Sequence, residues 1–414
     1  MRKVVVIGGG ASGLMCAYAS AKQNNQVVLL EKNEKLGKKI YITGKGRCNL
    51  TNDVEALEFF ENVVSNPKFL FSSIFSFPPA KTIKFFEEKG LSLNIERGKR
   101  VFPSSNKASD VTKTLEKSLV NLGVDIRLNT KVIDVLFENN QVKGVLTDKG
   151  EILCDSVVIA TGGVSYPSTG STGDGYDFAK KLGHKIVLPK PSLVGVELLG
   201  SDFIEMQGLS LKNVSLSAFV NDKKIYSDFG EMLFTHFGVS GPIVLSSSCF
   251  LTKKDLSSAY YIIDLKPALT EDVLDKKFVK LIAENINKSI SMLVRSVVPS
   301  SMVLPILSRA NIQKSKKCCE ITKEERKALI YTLKNLKFKI KKLRPIEEAI
   351  ITSGGVSVKD INPKTLESKI IKGLYFCGEV IDVDAFTGGF NLQIAFSTGY
   401  LAGINTWKNY IYLL

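Results

Sequence analysis

The first thirty-one residues restrict this chain more than any other stretch. An apolar strand, Val4-Val5-Val6-Ile7, runs into Gly8-Gly9-Gly10-Ala11-Ser12-Gly13. A helical stretch follows, then Val27-Val28-Leu29-Leu30, and then Glu31. A G-x-G-x-x-G string alone is a weak signal. Here it follows a strand, opens a helix and meets a carboxylate about 20 residues on, which is the whole βαβ dinucleotide unit. Gly8 permits the tight turn, Gly10 lets the backbone approach a pyrophosphate, and Gly13 lets the helix pack close to the strand. The unpaired N–H groups at the helix start, around Ala11 and Ser12, then face the phosphates. Glu31 is placed to accept hydrogen bonds from the ribose hydroxyls of an adenosine, and its charge repels a 2′-phosphate. The competing reading is a glycine-rich turn that holds nothing.

A chain of 414 residues with 44% hydrophobic and 23% charged residues predicts a globular protein of two or three domains. No apolar run approaches the ~20 residues needed to span a bilayer. The four-residue apolar run after Arg2 and Lys3 is too short for a secretion signal, so a cytoplasmic location is expected. Seven cysteines with no C-x-x-C pair argue against a disulfide framework, and only two histidines, His184 and His236, argue against a metal site. The net charge of +15 raises the question of a nucleic-acid partner. Its densest runs are Lys314–Lys317 and Lys334–Arg344. In the second, lysines alternate with Leu336, Phe338 and Ile340, which fits a strand better than a recognition helix. The spread of charge over many segments argues against nucleic acid, and attraction of anionic substrates explains it as simply.

The first lobe runs to about residue 190. It includes a basic, glycine-punctuated loop from Lys32 to Asn49, expected to be irregular, and helical patterns at 55–65 and 79–89. A helix capped by Ser109 or Asp110 follows, then strands at 124–128, 131–137 and 142–147 with an Asn139-Asn140 hairpin turn. Ser156 to Ile159 is a buried strand running into Ala160-Thr161-Gly162-Gly163. Residues 191–265 alternate as in an antiparallel β domain, and 266–344 read as mainly helical. Strand-turn-helix grammar returns with Leu374-Tyr375-Phe376-Cys377-Gly378-Glu379 and with Gly388-Gly389-Phe390-Asn391-Leu392-Gln393. The expected architecture is α/β: a Rossmann-like two-dinucleotide-binding domain, split into 1–190 and 345–414, with an inserted β-rich domain and a helical segment.

A split nucleotide lobe favours FAD over NAD. The adenosine half sits on the first turn, and the ribityl and flavin half needs a second backbone cradle from elsewhere in the chain. Gly378 allows close backbone approach there, and Glu379 is suited to ribityl hydroxyls. The Gly388-Gly389 helix start carries a dipole that favours negative charge on a flavin ring.

The motifs appear in order. They are Gly8 to Gly13 with Glu31, Thr43-Gly44-Lys45-Gly46-Arg47-Cys48-Asn49, Arg100-Val101-Phe102-Pro103, Ala160 to Gly163, Leu233 to Pro242, and Cys377 to Gln393. Together they resemble the BaiN-type flavoproteins, also known as aminoacetone-oxidase-like FAD-binding enzymes, over nearly the whole chain. The resemblance implies noncovalent FAD and an inserted domain, with members ranging from amine oxidation to NAD(P)H-dependent reduction of enone-like bonds. On this pattern the residues expected to hold FAD begin with Gly8, Gly10, Ala11, Ser12, Gly13, Glu31, Lys32 and Lys38. They continue with Thr43, Gly44, Gly46, Arg47, Cys48 and Asn49 in the loop, and with Val132, Ala160, Thr161 and Gly162. They end with Gly378, Glu379, Gly388, Gly389, Asn391, Leu392 and Gln393. The Thr172-Gly173-Asp174-Gly175 helix start is similar to fumarate-reductase-like flavoproteins.

Three residues are candidates for chemistry. Arg47 is suited to sit near the flavin or hold a substrate carbonyl, or else to contact phosphate or backbone. Arg100 lines a substrate mouth or a solvated loop, and His236 is a proton donor or a structural histidine. Cys48 reads as packing or a backbone flavin contact, and His184 as structural. The expected activity is hydride transfer between FAD and a small organic substrate or a transient NAD(P)H donor. The alternatives are a flavin-containing RNA-modifying or RNA-binding protein, a simple NAD-dependent dehydrogenase, and a flavin redox sensor. The oligomeric state is open.

Overall fold

A computed structural model describes residues 1–406 and divides them into two compact units: 1–192 with the return from 346 onward, and 193–345. Each unit has its own hydrophobic core.

The first unit is built on a five-stranded parallel sheet. Its order is Leu374–Phe376, Ser156–Ile159, Lys3–Ile7, Gln26–Leu30, Asp125–Arg127. Val4, Val5 and Val6 are fully buried, as strands covered on both faces require. Helix Ala11–Ala21 packs against the long helix Phe390–Asn405. A methyl group added at Gly399 would lie 2.2 Å from the Ser12 carbonyl oxygen, so the two helices meet at backbone distance. The sheet therefore brings the two ends of the chain side by side. The meander Val132–Glu138, Gln141–Thr147, Gly150–Leu153 turns at Asn139 and Asn140, both left-handed, as the two-residue hairpin predicts.

The second unit is a closed antiparallel barrel of six strands: Val196–Leu198, Gly238–Ser240, Lys223–Thr235, Ser210–Val220, Tyr260–Asp264 and Leu336–Leu343. Helices Glu271–Glu284 and Lys323–Lys334 begin at Thr270 and Thr322, whose hydroxyls accept N–H bonds of the first turn.

Three local expectations are corrected. The loop after Gly37 is not irregular: Lys38–Ile42 forms a helical turn and Thr43–Gly46 a tighter one, with Gly44 and Lys45 left-handed. The helix expected to start at Ser109 or Asp110 spans Ala108–Val120, with Asp110 in its first turn, where a carboxylate suits the dipole. The β-rich stretch contains a helix, Pro242–Leu251, because Pro242 sits at its first position and fixes the φ a helix needs. Strand Leu336–Leu343, where the lysine alternation fits a strand, ends the mainly helical stretch and closes the barrel. No helix among the described residues is long and apolar enough to cross a membrane.

Candidate functional site

The first turn has the geometry that dinucleotide binding needs. The Gly8 N–H donates to the Leu30 carbonyl at 2.8 Å, and a methyl group at Gly13 would lie 1.9 Å from the Gly8 oxygen. Nothing lies within 4 Å of the position a Gly10 side chain would take, so the space above the turn is open. No side chain caps helix Ala11–Ala21, which leaves its N-terminal N–H groups for a ligand. Glu31 is buried and oriented: one carboxylate oxygen accepts from the Gly9 N–H at 2.8 Å, the other from the Asn33 N–H and amide at 2.8 and 2.7 Å.

Beside Glu31, Lys32 pairs with Asp174 at 2.6 Å and bonds Thr172. Burial would push the Asp174 carboxyl up, but the Lys32 and Thr172 hydrogen bonds hold it below its ordinary value. A cleft of about 640 Å³ opens here between Val132 and the helix Asp174–Lys181. Lys38 makes a surface pair with Glu34.

The second turn abuts the first. A methyl group at Gly378 (φ +79°) would lie 2.3 Å from the Ser12 hydroxyl. Helix Phe390–Asn405 starts at left-handed Gly389 with no side-chain cap, and a methyl group there would meet the Thr51 backbone at 2.4 Å. Two uncapped helix starts thus lie in one unit. Asn391 closes its own loop on the backbone of Ala385, and Gln393 bonds Thr51 and the Phe77 carbonyl, while half-buried Leu392 packs against the core. Their side chains shape the cradle through protein contacts.

Glu379 sits in a network that sequence reasoning missed. Its oxygens accept from Lys39 Nζ at 2.8 Å, from the Ser165 hydroxyl at 3.0 Å and from the Thr352 N–H at 2.8 Å. Burial pushes this carboxyl up, but the Lys39 charge and the three hydrogen bonds outweigh burial and hold it low. The only signal was the basic character of the Lys38-Lys39 loop.

Whether the unit fits FAD is answered partly by unsatisfied atoms. Asn49 Oδ1 and Thr161 Oγ1 are buried without a hydrogen-bond partner, a costly arrangement that a polar ligand relieves. Cys48 is left-handed and fully buried, and burial pushes its thiol up to about 12 despite the Thr43 hydrogen bond, so it packs rather than reacts. Gly162, left-handed, lies against Ser171, and Ala160 takes the Ile7 carbonyl. Gly44, Gly46 and Thr43 form the tight turn before Arg47.

Arg47 donates to Glu96 through two nitrogens and to Asn106 at 2.7 Å, and its guanidinium lies 4.2 Å from the Phe102 ring centre. Arg100 is exposed, bonds the Arg97 carbonyl and stands 5.9 Å from the same ring. The structure therefore groups Arg47 and Arg100 around Phe102. His236 belongs to the other unit, exposed in the turn between Lys223–Thr235 and Gly238–Ser240, with its ring 5.1 Å from Phe237. Arg344 covers the opposite partner of that pair: it lies 4.6 Å from the Phe237 ring and bonds buried Glu197 at 2.9 Å. His184 is buried between Ser368 and the Ala179 carbonyl, and burial lowers its pKa, in keeping with a structural role.

A parallel sheet carrying two joined glycine turns, a buried ribose-type acid and unsatisfied polar atoms defines the class: a flavin-dependent oxidoreductase with FAD as its cofactor. The HI0933-like protein Rossmann domain matches residues 2–405, and the chain belongs to that family. It is 30% identical over 410 residues to the 3-dehydro-bile acid delta(4,6)-reductase of Clostridium scindens, covering 97% of this chain and 98% of that protein. It is 28% identical over 409 residues to a ribosomal RNA dihydrouridine synthase of Haemophilus influenzae, covering 97% of each. In fold it is similar to the 3-ketosteroid delta1-dehydrogenase of Sterolibacterium denitrificans, with a TM-score of 0.54 at 13% identity over 98% of this chain and 99% of that one. A flavocytochrome c3 fumarate reductase gives 0.52 at 19% identity over 98% and 78%.

Proposed function

We propose that this protein saturates a carbon–carbon double bond conjugated to a carbonyl, with NAD(P)H as the source of the hydride. Overall, the substrate takes one hydride and one proton, and NAD(P)H becomes NAD(P)⁺. Bound FAD supplies the two-electron carrier that lets donor and acceptor react in turn. The observation that carries the reading is the contact of the uncapped start of helix Ala11–Ala21 with the second glycine turn, Ser12 against Gly378, in a unit that holds a second uncapped helix start at Phe390. The names of the two relatives point to one chemistry, since a delta(4,6)-reductase and a dihydrouridine synthase both saturate a ring double bond.

On this reading Glu31 holds the adenosine ribose, the helix starts at Ala11 and Phe390 face the phosphates and the ring, and Lys39 fixes Glu379 beneath the second turn. Thr161 and Asn49 bond the cofactor. Arg47, already held by Glu96, Asn106 and Phe102, is a positioning residue for the loop, whereas exposed Arg100 is free to meet a substrate oxygen. His236, exposed in the other unit, has no assigned part in this reading. A second reading of the substrate, a uracil ring in RNA, is favoured by the net charge of +15. The test is anaerobic reduction by NADH or NADPH, followed by reoxidation with a cyclic enone, a 4,6-dien-3-one steroid or uridine-containing RNA. Reoxidation by one of these supports the reading. Reduction without reoxidation by any of them refutes it.

A further inference from the structure

The lysine-rich strand Leu336–Leu343 lies in the second unit. Its alternation puts Leu336, Phe338 and Ile340 into the barrel core and leaves Lys337, Lys339 and Lys341 exposed on the outside. Side chains two apart on a strand stand about 7 Å from one another, comparable with successive phosphates of an extended single strand. The neighbouring strands add aromatic rings. Tyr260 pairs with Lys339, Phe219 pairs with Tyr260, and Lys224 pairs with Phe219, so one row across the sheet reads Lys224, Phe219, Tyr260, Lys339. The Phe219 and Tyr260 rings are stacked at 5.0 Å and 7°, and the Lys337 ammonium lies 3.6 Å from the centre of the Tyr260 ring.

The carboxylates around this face are already engaged. Asp222 takes the Tyr260 hydroxyl, Asp264 pairs with Lys334, and Glu197 is shared by Lys341, Lys342 and Arg344. Among the described residues no carboxylate pairs with Lys224, Lys337 or Lys339. The unit 193–345 carries 24 Lys and Arg against 15 Asp and Glu, a net of +9.

We infer that the outer face formed by strands Ser210–Val220, Tyr260–Asp264 and Leu336–Leu343 docks single-stranded RNA. The lysines track the phosphates, and Phe219, backed on one face by Tyr260, offers its other face to an unpaired base. A duplex, whose bases are already stacked, cannot use the rings. This inference rests on the RNA reading of the substrate.

The test is fluorescence anisotropy of the flavin-loaded protein with a labelled uridine-rich RNA of about twelve nucleotides, between about 50 and 200 mM KCl. The same sequence as a duplex is run alongside. The double variant Lys337→Gln/Lys339→Gln flattens the salt dependence by about 0.7 per lysine removed. Phe219→Ser weakens single-strand binding about tenfold with the salt slope and duplex binding unchanged. Lys276→Gln/Lys280→Gln, on helix Glu271–Glu284, is the charge-matched control and leaves binding as in wild type. Thermal midpoint and flavin content verify that each variant is folded. A wild type that does not bind single-stranded RNA at low salt overturns the inference, as does equal loss in the control variant or equal loss for duplex. Reoxidation of the reduced protein by uridine-containing RNA is measured separately. If RNA reoxidises the protein but the face variants bind normally, the surface is wrong and the substrate reading stands. If RNA binds through this face but never reoxidises the protein, the surface stands and the substrate reading fails.

Discussion

Replacing Lys39 by Met leaves Glu379 in place without its counter-ion. The Lys39 side chain is 23% exposed and that of Glu379 14%, so the pair is mostly withdrawn from water. Breaking a buried pair by removing one partner costs about 3–5 kcal/mol. The residual exposure places Lys39→Met at the lower end, about 3 kcal/mol, or a fall of about 5 °C in the melting temperature of a unit of this size. The pH dependence identifies the cause. In the wild type the Glu379 carboxyl is held low, because the Lys39 charge and the hydrogen bonds outweigh burial. Its contribution is therefore present above the unfolded value of about 4.3 and is lost as pH falls through the lower folded value. Without Lys39, burial dominates and the folded value rises above about 4.3. The variant then loses stability as pH rises through that interval, so its deficit is small in acid and full at neutral pH. Denaturant titrations of both proteins from acid to neutral pH measure this. Lys39→Met/Glu379→Gln recovers much of the loss, since no uncompensated charge remains. A deficit that is independent of pH, or below about 1 kcal/mol, refutes the reasoning.

Gly13→Val forces atoms into the Gly8 carbonyl and opens the helix–strand contact; the protein is expected to lose bound FAD, checked by flavin released per chain. Glu31→Ala removes the ribose acceptor and weakens FAD binding by about 10- to 100-fold, measured by titrating cofactor-free protein with FAD. Thiol labelling of the folded protein near pH 8 is expected to modify exposed Cys319 quickly and to spare Cys48, whose buried thiol is pushed up to about 12. Mass mapping of the labelled peptides decides it.

The parts legible in the sequence are those dictated by backbone chemistry. Gly8, Gly13 and Glu31 announce the first strand, turn and helix because each answers a local steric or hydrogen-bonding demand. Asn139-Asn140 announces its hairpin for the same reason, since asparagine tolerates the left-handed region. The alternation of Lys337 to Lys341 marks a strand even inside a helical stretch. What was not legible depends on partners distant in sequence. Nothing local to Lys39 says that it meets Glu379, and nothing local to Arg47 says that Glu96 and Asn106 engage its guanidinium. Pro242–Leu251 reads as apolar and β-like, and only the proline at its first position marks the helix. Glu379, expected to meet ribityl hydroxyls, has carboxylate oxygens that already take three protein donors, a commitment no spacing rule shows.

The visible absorption spectrum of the purified protein, recorded before and after heat release of the cofactor, decides whether the glycine turns hold FAD. Two flavin bands and about one FAD per chain recovered in the supernatant are expected. A colourless protein that also fails to take up added FAD contradicts this expectation.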